Sequence, residues 1–373
     1  MLDYKQAPPT NPKLAKTVSS FANTLGGHII IGVETNDDDQ PIAAKGTERK
    51  DQQKEQIEQS IKNAVAPSPT FDMKKITNAE NEDRTFFIIF VPQSDYAPHM
   101  VTYKNKNKYY ERVYERGNYT TNELSEERIS QLYKQRENSK ERFEKKIQDL
   151  REELEVVLKE INSKYFCMYA FAIPTSRKKV FDINNENKGK ITRILNNYSD
   201  ISTGLGTFRD GYRLPSTLNI ENRLKNLSNS NLPCDNYLIS QYGEVGRCLV
   251  FFGSKRELDL GGSAAYVREF LKSCYEFGQE FPIYSTVKFK FKWENLENLT
   301  GVIPPKNRAS LLSSKVWSRD EIVIPSQDHL LTKLIEEDGS EPFAKDVLDQ
   351  FFRNFGYEQN PYSSEDGEFE FNV

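Results

Sequence analysis

Residues 20–34, SFANTLGGHIIIGVE, constrain the fold more than any other stretch of the chain. Ahead of them, Asn11-Pro12 reads as a helix N-cap followed by proline in the first turn. Leu14, Val18, Phe21, Ala22 and Leu25 then recur at helical spacing and give one apolar face. Gly26 and Gly27 stop that helix, because glycine enters the left-handed region without steric cost. His28 to Val33 is a short β-branched run, the composition of a strand covered on both faces. Glu34 follows at the strand's carboxyl end, where open α/β sheets tend to place their ligands, and Glu34 to Asp39 returns to turn chemistry. The stretch predicts a helix, a tight turn and a central buried strand.

Further along, Ile57, Ile61 and Val65 predict a second helix over 49–65, ended by Pro67 and Pro69. Strands are expected over 70–76, 84–91, 100–104 and 108–115. Residues 1–123 thus read as one α/β or α+β domain with a mixed sheet. Beyond Ser125 the pattern changes. Phe143, Ile147, Leu150, Leu154, Val157, Ile161 and Tyr165 repeat at heptad spacing amid dense charge, which predicts a long helix within 124–165. Such a helix can pack on its own domains or serve as a coiled-coil seam for a homo-oligomer. Residues 166–373 read as an α+β domain of unknown role, a sensor or a partner-binding unit. Its expected strands are CMYAFAI, KKVFDI, RCLVFFG and TVKFKFKW, and its expected helices cover 263–277, 327–337 and 342–355. The fold class is α+β.

A chain of 373 residues can bury a sizeable core, and its charged and aromatic content fits a folded protein rather than a disordered one. The net charge of -4 gives no global attraction to nucleic acid, so any such binding needs a local basic surface. No apolar run approaches the roughly 20 residues of a membrane helix. Cys167, Cys234, Cys248 and Cys274 lack CxxC spacing and read as buried thiols in a reducing compartment, so a cytoplasmic location without membrane partners is expected. The three histidines, His28, His99 and His329, are too far apart in sequence to suggest zinc by spacing. Gly26-Gly27 precedes a strand, and no GxxxxGK[ST] occurs, which excludes a P-loop NTPase. LDLGGSAAYVREF reads as a plain glycine turn into a helix.

With these blocks in order, the chain resembles the Schlafen AlbA-type domain over about residues 1–135. Asp3-Tyr4-Lys5 matches the family's acid-aromatic-Lys element. Phe21, Ala22, Asn23, Thr24, Gly26, Gly27, Gly32, Val33 and Glu34 match its central block, and Pro67 matches the proline after its second helix. YYERVYERGNYTTNELSEERI, with Arg116-Gly117-Asn118 as the turn, matches its aromatic, Arg-Gly and helix ending. In Schlafen nucleases the resemblance implies three carboxylates that cut structured RNA, notably transfer RNA, with a divalent metal. Asp3 and Glu34 match the second and third acids; the first would lie five residues before Asp3, ahead of Met1. Glu34 stands where Asp is more usual. A metal site built on Asp3 and Glu34 would take Mg²⁺ or Mn²⁺, which prefer carboxylate oxygens. Asp37, Asp38 or Asp39 would stand in for the third acid, and Lys5 would hold a phosphate or steady Asp3. A solvated turn accounts for Glu34 and the aspartates more simply.

The binding signal is broader. Lys104, Lys106, Lys108, Arg112 and Arg116 are interleaved with Tyr103, Tyr109, Tyr110 and Tyr114, against Glu111 and Glu115. Alternation puts Tyr110, Arg112 and Tyr114 on one face. Cations neutralise phosphates while aromatic rings stack on bases. The same residues also suit a hairpin whose tyrosines pack on the core. The expected partner is nucleic acid, RNA or DNA. The enzymatic version is a metal-dependent endoribonuclease; the alternative is a non-catalytic regulator or oligomeric interaction protein.

Overall fold

In the computed structural model, the described residues are 1–9, 11–36, 38–105, 108–117, 120–155, 165–175, 178–198, 205–208, 210–214, 234–252, 257–281, 283, 285–297, 299–302, 315–316, 320–330, 340–358 and 360–361. They form an α+β chain that divides into two compact units, Met1–Phe143 and Glu144–Val373.

The first unit runs β1 (Leu2–Lys5), α1 (Asn11–Ala22), β2 (Gly27–Ile31), β3 (Val33–Thr35), β4 (Pro41–Ala44), β5 (Thr47–Glu48) and α2 (Gln53–Ala64). It continues through β6 (Val65–Ala66), β7 (Asp72–Asn78), β8 (Asn81–Val91), β9 (Met100–Asn105), β10 (Lys108–Arg116) and β11 (Thr121–Glu123) into α3 (Glu126–Glu155). One sheet has the order β1-β2-β8-β5, with β7 also on β8; a second has the order β11-β10-β9-β6. The first is mixed, since β1 lies parallel to β2 and β8 antiparallel to it.

The helix–glycine–strand reading of 20–34 corresponds to α1 and β2, with a reason for each glycine. Gly26 has φ +72°, and a Cβ there would stand 2.7 Å from the backbone at Val91 and Gln93. At Gly27 a Cβ would stand 2.6 Å from the Met1 carbonyl oxygen, so a side chain would push β1 off the sheet. One expectation is corrected. β2 is covered on one face only: Ile29 and Ile31 are buried with Leu14, Val18 and Phe21 of α1, whereas His28 is exposed and stacks on Phe90. The β-branched run signalled a strand but could not show that its alternate residues face an open side.

The second unit carries a seven-stranded antiparallel sheet. Its strands are β12 (Tyr165–Pro174), β13 (Gly206–Phe208), β14 (Gly211–Leu214), β15 (Cys234–Ser240), β16 (Val245–Phe252), β18 (Thr286–Glu294) and β21 (Glu321–Leu330), in the order β13-β14-β15-β16-β12-β18-β21. A smaller sheet joins β17 (Glu257–Asp259), β19 (Thr300–Val302) and β20 (Lys315–Val316). The helices are α4 (Asn185–Asn196), α5 (Leu260–Glu280) and α6 (Ser340–Arg353). Met168, Ala170 and Ala172 of β12 share a core with Tyr266 and Phe270 of α5 and Phe351 of α6. The other face of the sheet meets the last turns of α3, where Leu150 and Leu154 pack at Gly246.

Three further expectations are corrected here. KKVFDI forms no ladder: it is extended chain held by Val180 N–H to the Gln241 carbonyl (2.8 Å), with Phe181 plugged among Tyr212, Phe277 and Phe281. Residues 327–330 belong to strand β21, not to a helix; the rest of 327–337 lies outside the described residues. Pro325 sits where the β18–β21 register shifts on the strand that ends the sheet, a position where proline's missing N–H costs no ladder bond. Tyr165 opens β12 rather than closing a heptad, and Val157 and Ile161 lie outside the described residues. Phe143, Ile147, Leu150 and Leu154 are all buried within the chain itself. Cys167, Cys248 and Cys274 are buried, and burial pushes Cys167 up to about 12; the Cys234 side chain lies outside the described residues.

Candidate nucleic-acid interface

Asn23 organises the site. The end of α1 delivers it into the interior, where its Nδ2 donates to the carbonyls of His99 (3.1 Å) and Tyr114 (2.9 Å). Its Oδ1 accepts the His99 backbone N–H at 2.7 Å. Thr24, one residue on, accepts the Arg116 backbone N–H at 3.0 Å and donates its own proton to the Ser20 carbonyl. The Asn-Thr pair therefore ties the helix end to β10 and fixes where Arg116 begins. A buried side-chain amide with its bonds satisfied specifies such a junction, because any displacement leaves polar groups unpaired.

Arg116 then reaches β1. Its guanidinium lies 3.4 Å from Asp3 Oδ1, donates to Thr121 Oγ1 at 3.0 Å and stands over the Phe21 ring. Lys5 Nζ lies 2.8 Å from Asp3 Oδ2, an ion pair. Asp3 is buried in this arrangement. Asp3, Lys5 and Arg116 thus converge, although 113 residues separate the first from the last.

Glu34 is paired with a different cation. It pairs across β3–β4 with Ala43, and its Oε2 is 2.5 Å from Lys45 Nζ. No hydrogen bond or ion pair joins it to Asp3 among the described residues. Asp38 and Asp39 occupy the turn whose backbone N–H groups are gathered by Asn36 Oδ1; Asp37 lies outside the described residues. The described residues contain no group of three His, Cys, Asp or Glu that could hold an ion. Each matched carboxylate already has an organic cation at its oxygens. A Mg²⁺ or Mn²⁺ at either carboxylate would share its oxygens with Lys5 and Arg116, or with Lys45.

Alternation on β10 does place Tyr110, Arg112, Tyr114 and Arg116 on a common face, and that face looks toward α1. Tyr114 is consequently buried with Ala15, Val65 and Val101. Its phenol is pushed up by burial and by the neighbouring Tyr103, which packs against the same cluster. Tyr103 stacks on Tyr110 across the strands, with centroids 5.3 Å apart. Arg112 lies 6.0 Å from the Tyr110 centroid and pairs with Glu123. Lys106 lies outside the described residues, as do the side chains of Lys104 and Lys108. The opposite face of β10 is covered as well: Val113 packs with Ala97, Leu124 and Leu132 of α3.

The sequence reading missed Lys16. It projects from α1 with its Nζ 4.7 Å from the Tyr114 ring centroid, joining the ladder Lys16–Tyr114–Tyr103–Tyr110–Arg112. The available signal was the spacing in NPKLAK, which sets Lys13 and Lys16 one turn apart and off the apolar stripe.

The family model Schlafen, AlbA_2 matches residues 1–125, so the first unit contains a Schlafen AlbA-like domain. That match supports a Schlafen-like, nucleic-acid-related role for this domain. A search of curated proteins finds no match to the chain. No helix among the described residues is long and apolar enough to cross a membrane.

Proposed function

We propose that the protein binds nucleic acid, with structured RNA such as transfer RNA as its preferred ligand, through the α1–β9–β10 face of its N-terminal domain. One observation carries this reading: a connected set of cations and tyrosines runs from Lys16 to Arg112 beside the Arg116–Asp3–Lys5 cluster. Cations so arrayed exchange condensed counterions for phosphates, a favourable entropic term that needs no base contact. The ion-paired state of Asp3 and Glu34 supports the non-catalytic version over a metal-dependent endoribonuclease.

Fluorescence anisotropy with labelled transfer RNA tests binding. Arg112→Glu combined with Arg116→Gln should abolish a salt-sensitive signal; Gln is chosen at 116 because Glu would set a second carboxylate against buried Asp3. Unchanged affinity would refute this face. Transfer RNA incubated with Mn²⁺ should remain intact. Fragments that disappear in both Asp3→Ala and Glu34→Ala would establish the nuclease reading instead.

A further inference from the structure

The cations of the interface are not equivalent. Lys5 and Arg116 share Asp3, Arg112 faces Glu123, and Arg128 lies 3.5 Å from Glu115. Lys16 is different: among the described residues it has no carboxylate partner in an ion pair, and its ammonium stands over the Tyr114 ring. Lys13, exposed one turn earlier on α1, has no carboxylate partner among the described residues either. Among the described cations of this face, the uncompensated ones therefore sit on α1, a helix the sequence did not single out for binding.

The tyrosines have intramolecular duties. Tyr114 is buried beneath Lys16, Tyr103 packs against the cluster that holds Tyr114 and stacks on Tyr110, and Tyr110 is engaged by Tyr103 and Arg112. A ring quadrupole under an ammonium holds it in place without neutralising it. A carboxylate in that position would have cancelled the charge a phosphate needs.

Resting on the nucleic-acid reading above, we infer that Lys16, seated on Tyr114, is a primary phosphodiester contact. The tyrosine ladder is its support rather than a platform for bases. The ligand class is then a sugar–phosphate backbone read irrespective of base identity, because phosphate contacts carry position but no sequence information.

The test compares full-length variants by anisotropy on labelled RNAs of equal length and different base composition, over a salt series. Lys16→Gln should weaken all of them alike, by roughly fivefold near 0.15 M salt, and reduce the slope of log K against log salt by about one. Lys16→Arg should restore both, which a merely structural lysine would not require. Tyr110→Leu should weaken RNA and inorganic polyphosphate by the same factor, where loss of a stacked base would weaken RNA alone. Inorganic polyphosphate should compete with RNA for the wild type. An unchanged slope in Lys16→Gln, or a Tyr110→Leu loss on RNA that polyphosphate does not share, overturns the inference while leaving nucleic-acid binding in place. Wild-type protein that binds no RNA even at low salt overturns both.

Discussion

At the scale of single residues, His99 shows how a buried titratable group can be structural. Its Nδ1 is 2.6 Å from the Pro67 carbonyl, which can only accept, so that nitrogen carries the proton. Its Nε2 is buried without a hydrogen-bond partner among the described residues. Burial lowers its pKa from 6.5 to about 4, outweighing the bond to Pro67, and Arg136 lowers it further. The folded state therefore resists a proton that the unfolded chain accepts. Stability conferred by neutral His99 is fully present above pH 6.5 and drains away as pH falls toward 4, amounting to about 3 kcal/mol at the lower end. Urea unfolding of wild type and His99→Asn across this range should diverge accordingly, the variant keeping a donor for Pro67 but lacking the titration. Parallel pH curves would show that His99 does not bear this linkage. None of this was legible in the sequence, where His99 is one of three isolated histidines. Asn23 and Thr24 were legible only as motif letters; their partners, Tyr114 and Arg116, lie more than 90 residues away.

Secondary-structure elements were readable wherever local periodicity and glycine agreed. α1 and β2 follow from an apolar stripe, two glycines and a β-branched run, and α6 from its Phe343, Val347 and Phe351 face. β21 was not readable, because Pro325 interrupts the pattern and only the bulge against β18 makes room for it. α3 posed the hardest choice, since heptad spacing does not say which protein covers the seam. Leu154 is 1% exposed and packs with Leu150 where Gly246 leaves space, close to Phe171. The seam is thus occupied by the helix's own chain over its described length. Leu154→Ala should cost about 2–5 kcal/mol through lost burial and an unfilled cavity. Its unfolding midpoint, like that of the wild type, should not move with protein concentration. A midpoint that rises with concentration would show that this face holds an oligomer together, because dimer stability depends on protomer concentration.

For the molecule as a whole, the net charge of -4 and the cationic face pull in opposite directions. Surface charges farther off than about 8 Å are largely screened at physiological ionic strength. The acidic remainder of the chain then neither draws a polyanion in nor repels it strongly, and affinity rests on the few cations in contact. Of the described cations, Lys16, Arg112 and Arg116 are grouped with the aromatic rings of α1 and β10; two of them are already paired, with Glu123 and Asp3. Three phosphate contacts correspond to a slope of log K against log salt of about -3 on a duplex. Arg112 and Arg116 can reach phosphates only by loosening their carboxylates, so the measured value should fall between about -1 and -3. Anisotropy titrations between 50 and 300 mM salt (about a sixfold range, wide enough to fix the slope) provide the number. A slope much steeper than this would mean that the binding surface extends well beyond α1 and β10, onto cations that the fold assigns elsewhere.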